Sequence, residues 1–69
     1  MKIVGLSTYK GRHCAELEDG RFVLSNGSMH LALCRKTEKG MHVLEGGIVG
    51  GILMRTREDF AWCVENMSR

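Results

Sequence analysis

Turn signals punctuate this chain so often that a long element has room only at its C-terminal end. Lys10-Gly11, Asp19-Gly20, Asn26-Gly27, the run Thr37-Glu38-Lys39-Gly40 and the pair Gly46-Gly47 each separate apolar runs. Asp-Gly and Asn-Gly supply the positive backbone angles that tight hairpin turns demand. The spacing predicts an antiparallel β-meander of five or six short strands, near residues 2–8, 12–18, 21–25, 28–36, 41–45 and 48–55.

Side-chain alternation then assigns faces. Ala15 and Leu17 point one way while Glu16 and Glu18 point the other, which predicts one covered face and one wet face. Phe22 and Leu24 are expected to join the covered face, opposite Arg21 and Val23. Residues 28–39 are ambiguous, because Met29-His30-Leu31-Ala32-Leu33-Cys34 lacks β-branched residues and Gly40 suits a helix C-cap. The regular alternation of Met29, Leu31 and Leu33, with a four-residue connection after it, favours a strand.

The end of the chain reads as a helix. Thr56 is placed to act as N-cap with Asp59 three residues on, and Glu58 and Asp59 favour the positive end of the helix dipole. Phe60, Cys63, Val64 and Met67 fall at i, i+3, i+4 and i+7, one apolar stripe expected to lie across the covered face of the sheet. The fold class is therefore α+β, a meander covered by one C-terminal helix.

Sixty-nine residues with 43% apolar content support one core, so residues 1–69 are read as a single domain. A core of this size alone is marginal, and a homodimer is the expected supplement. Three cysteines at wide spacing, Cys14, Cys34 and Cys63, make a poor disulfide framework and suit a reducing compartment. No export signal follows Met1, and the low-charge stretch Gly46 to Met54 is too short to span a bilayer. The expected location is the cytoplasm, with no membrane partner.

Several chemistries are weakly supported. Cys14, Cys34, Cys63, His13, His30 and His42 hold the atoms of a zinc site, and His30 and Cys34 share a face, but no paired ligand spacing is present. His13 and Cys14 are strand neighbours that point to opposite faces, so they cannot form a nucleophile and base. The carboxylates fall at turns and solvated faces without paired spacing. Gly46-Gly47-Ile48-Val49-Gly50-Gly51 lacks the Gly-Lys-Ser/Thr end of a phosphate loop and reads as a bulge or close packing. The expectation is a non-enzymatic chain with no catalytic residues, metal or cofactor.

Trp62 stands apart. At 100° per residue it lies about 150° from the centre of the apolar stripe, among Glu58, Glu65, Asn66 and Arg69. An outward tryptophan is the type of side chain that anchors interfaces. The expected function is a small binding protein, of inhibitor or adaptor type, that docks on a larger protein through Trp62, Arg55, Arg57, Glu58 and Arg69. Small accessory proteins of phages and other mobile elements share this build, by analogy alone. One alternative is a nucleic-acid binder using a basic rim of Arg55, Arg57, Arg69, Arg35, Lys36 and Lys39, against which stands a net charge of only +2. Another is a homodimer that buries Trp62 between two copies.

Overall fold

The computed structural model describes residues 1–68. Five strands, β1 (Ile3–Tyr9), β2 (Arg12–Leu17), β3 (Phe22–Asn26), β4 (His30–Thr37) and β5 (Gly40–Val49), precede one helix, α1 (Arg57–Glu65). The strands form one antiparallel sheet in the order β1-β2-β3-β4-β5, a meander with α1 against one face. Residues 30–37 are strand, as their alternation required.

The Lys10-Gly11 turn shows how sequence sets this topology. Lys10 and Gly11 both take positive φ, 50° and 79°, directly between the paired residues Tyr9 and Arg12. That is a two-residue turn whose twist matches the strands it joins.

Two expectations are corrected. The first is a separate strand over 48–55: β5 instead runs unbroken from Gly40 to Val49, and the chain then leaves the sheet. β5 has ten residues against eight in β4. The difference is taken up where register shifts, between Leu31 and Leu33 and between Leu33 and Cys34. Gly46-Gly47 thus marks a bulge inside one strand rather than a turn between two.

The second concerns the faces. Ala15 pairs with Val23, and Val23 with Leu33, so Val23 belongs to the helix side. Phe22 and Leu24 point the other way, with Cys34 and Cys14. Neither face is simply wet. Ala15, Leu17, Val23, Leu31, Leu33, Ile48 and Met54 form one core with Phe60, Cys63, Val64 and Met67 of the helical stripe. On the helix-free face Cys14, Leu24, Ala32 and Cys34 are also buried, with Tyr9, Phe22 and Met41 packed over them.

Twist explains how one small sheet covers both faces. A flat five-stranded sheet would hold β1 and β5 roughly 19 Å apart, yet the Met41 N–H donates to the Tyr9 hydroxyl at 3.4 Å. Bulges increase local twist, and both edge strands carry register shifts, β1 between Ile3 and Gly5. The sheet is therefore saddle-shaped. Ile3 and Ile48, at one pair of opposite corners, pack into the helix-side core, while Tyr9 and Met41 close the other hollow.

α1 is fixed at both ends. The Thr56 hydroxyl accepts from Asp59 N–H at 3.1 Å, and the Asp59 carboxylate accepts from Thr56 N–H at 3.3 Å, a complete capping box. The Met1 ammonium donates to the carbonyls of Glu65, Met67 and Val64 at 2.9, 3.3 and 3.4 Å. No basic side chain stands in the last helical turn. The cation that the negative helix end favours comes from Met1 instead.

Candidate docking surface

α1 buries Phe60, Cys63 and Val64, and the same geometry turns Trp62 outward. Its side chain is neither free nor buried: Trp62 keeps 48% of its surface exposed. Its Cζ3 lies 3.7 Å from where a β-carbon on Gly51 would stand, so the indole rests against the Gly51 backbone. The carbonyl of Trp62 accepts from both the backbone and the side-chain amide of Asn66, at 3.1 and 2.8 Å. The helix positions the ring, and Gly51 presents no side chain to it.

The sequence predicts a sixth strand for the segment beside it. Residues 50–55 are instead a bend anchored to the turn between β3 and β4, with Gly50 N–H donating to Met29 O at 2.9 Å and Met54 N–H to Ser28 O at 2.7 Å. A β-carbon on Gly50 would meet Cys63 Sγ at 3.1 Å and Met29 O at 3.3 Å, so any larger residue would need the helix or the Met29 turn to give by a few tenths of an ångström. Met54 turns into the core while Ile52 and Leu53 remain exposed, at 38% and 43%. The bend thus brings the Gly51 backbone against Trp62, with two large exposed apolar residues, Ile52 and Leu53, next in the chain. The glycine pair was the signal for this, since two adjacent glycines interrupt a strand as readily as they bend one.

The charged members of the expected surface are exposed but less concentrated than the sequence implied. Arg55, Arg57 and Glu58 are all exposed, at the helix start, and make no ion pair among the described residues. Arg55 contributes its backbone N–H to Asp59 Oδ2 at 3.2 Å. Arg69 lies outside the described residues. Trp62 therefore rests on the Gly51 backbone of the bend and has polar residues along its own helix.

The other reactive groups are dispersed. His13 stacks on Phe60 with ring centroids 5.4 Å apart, on the helix side, and its Nδ1 is buried without a hydrogen-bond partner among the described residues. Cys14 and Cys34 lie beneath the opposite face, where burial raises both thiols above their ordinary range. Among the described residues no three His, Cys, Asp or Glu side chains converge as metal ligands. An open cleft of about 210 Å³ lies between Met1, Lys2, Leu17, Glu18, Asp19 and Arg21. There the Arg21 backbone N–H, then its guanidinium, holds the Asp19 carboxyl below its usual range. No helix among the described residues is long and apolar enough to cross a membrane.

Comparison of the chain with family models, with curated proteins and with solved structures returned no match.

Proposed function

We propose that this chain is a non-enzymatic binding protein that docks on a larger protein, with Trp62 as the anchor. The observation that supports this reading is the half-exposed indole, held on a doubly capped helix against the Gly51 backbone, with the exposed Ile52 and Leu53 next in the chain. Contiguous apolar side chains on a small protein mark interaction sites more often than chance exposure does. A pre-positioned tryptophan loses little conformational freedom on binding, which is why such residues dominate interface energies. Arg55, Arg57 and Glu58 form a polar rim that sets orientation more than affinity.

Cysteines without disulfides accord with a cytoplasmic setting, and an inhibitor or adaptor role follows from docking without chemistry. The test is capture of partners on the tagged protein after nuclease treatment, compared with Trp62→Ala. A stoichiometric partner lost with the variant supports the reading, provided the variant keeps its circular dichroism. Equal capture by both proteins contradicts it, and unfolding of the variant would make Trp62 a structural residue.

A further inference from the structure

The saddle gathers cations that are far apart in sequence. Arg12 pairs with Tyr9 and Lys36 with Met41, so both stand on the helix-free face at the corner where Tyr9 and Met41 meet. Lys10 Nζ lies 5.5 Å over the Tyr9 ring, and Lys39 follows in the hairpin turn beside Gly40. Arg12 acts electrostatically on Cys34 and Lys36 on Cys14, which places both charges around the same hollow.

Carboxylates are distributed differently. Glu58, Asp59 and Glu65 lie on α1, and Glu45 pairs with Leu33 on the helix side. Glu16 is the strand carboxylate of the helix-free face, Glu38 is in the hairpin turn, and Glu18 and Asp19, just after β2, are paired with Lys2 and Arg21. Around the Tyr9–Met41 contact Lys10, Arg12, Lys36 and Lys39 thus face only Glu16 and Glu38, a local excess of cations that the net charge of +2 conceals. His30 pairs with Asn26 on the same helix-free face, and Arg12 Nε donates to the Ser25 carbonyl at 2.7 Å, which leaves its two terminal nitrogens as donors to a ligand.

We infer that the helix-free face, from Tyr9, Lys10 and Arg12 across to Lys36, binds a single strand of nucleic acid. Clustered cations favour the phosphodiester backbone, and half-buried aromatics, Tyr9 and Phe22, offer edges and faces to unpaired bases. A single strand suits the site better than a duplex, because the face is a shallow curled sheet with no helix to enter a major groove. The basic rim at Arg55 and Arg57 is not part of it. A chain that docks a protein through Trp62 and a strand through the opposite face of the sheet would bridge the two.

The test is fluorescence anisotropy with a labelled oligonucleotide of about 15 nucleotides, single-stranded and duplex, across a salt series. Three phosphate contacts predict a log–log salt slope near −2, equivalent to roughly a 15-fold loss of affinity between 50 and 200 mM salt. Lys10→Gln with Lys36→Gln should bring the slope to roughly −0.7, while Arg55→Gln with Arg57→Gln and Trp62→Ala leave it unchanged. No binding at low salt, equal loss with the Arg55 and Arg57 pair, tighter binding to duplex, or complete competition by polyglutamate would each overturn the proposal. Because Trp62→Ala is neutral here and disabling in partner capture, the two readings fail separately.

Discussion

The hydroxyl of Tyr9 lies 3.4 Å from the backbone nitrogen of Met41, although one residue ends the first strand and the other is the second of the last. This contact joins the two free edges of the meander across a hollow floored by Cys14, Leu24, Ala32 and Cys34. Tyr9→Ala removes the closing ring and uncovers that floor, so it should destabilise the chain by about 3 kcal/mol. Tyr9→Phe keeps the ring and loses only the hydroxyl contact, so about 1 kcal/mol is expected. Urea denaturation of the two variants checks the order, and an equal cost for both would mean that the hydroxyl, not the ring, closes the hollow.

Met1 makes a second prediction. Its ammonium is the cation at the C-terminal end of α1, 2.9 Å from the carbonyl oxygen of Glu65. Acetylation of that amine removes the charge, and the expected cost is about 0.5 kcal/mol at low ionic strength. Thermal melts of acetylated and free protein at low and high salt measure it, and the difference should shrink as salt screens the dipole.

Gly50 supports the proposed docking surface from beneath. A methyl group there would stand 3.1 Å from Cys63 Sγ and 3.3 Å from the Met29 carbonyl. Gly50→Ala should therefore cost about 1–3 kcal/mol by overpacking, and it should shift the Trp62 emission spectrum by moving the bend that carries Gly51. Gly5, around which a β-carbon would meet nothing within 4 Å, is the control expected to tolerate alanine.

Alkaline pH should weaken the fold through Cys14 and Cys34. Burial raises both thiols from the ordinary value of 9.0, so above that pH the unfolded chain loses protons that the folded chain retains. Stability contributed by the protonated thiols is full below the unfolded value and falls as pH rises past it. Denaturation midpoints should decline above about pH 9, and Cys14→Ala with Cys34→Ala should flatten that decline. Both thiols should also react slowly with a thiol reagent at neutral pH, because the thiolate is the reactive form.

Much of this architecture was legible in the residues, for physical reasons that differ by element. The turns were clear because Lys10-Gly11, Asp19-Gly20 and Asn26-Gly27 impose backbone angles locally. The helix was clear because Thr56 and Asp59 cap it and its stripe has one period. The faces were harder, since β3 carries apolar side chains on both sides and alternation alone could not say whether Phe22 or Val23 faced the helix. Only the register with Ala15 and Leu33 decides that. The corner joining Lys10, Arg12 and Lys36 depends on sheet twist and bulges, which couple residues some 25 positions apart and leave no local pattern. The outward direction of Trp62 followed from helical phase, while the exposed Ile52 and Leu53 of the bend were hidden inside what resembled another strand.

Trp62 is the single tryptophan of the chain, so its fluorescence reports the proposed anchor without interference. The most direct measurement is a titration of the protein with its captured partner, following indole emission and acrylamide quenching, after a dilution series has established the starting oligomeric state. The account predicts a blue shift and protection from quenching as the complex forms, and a loss of at least about 2 kcal/mol of affinity for Trp62→Ala. Complex formation with unchanged emission, or an indole already protected in a dimer that dissociates on dilution, would contradict it.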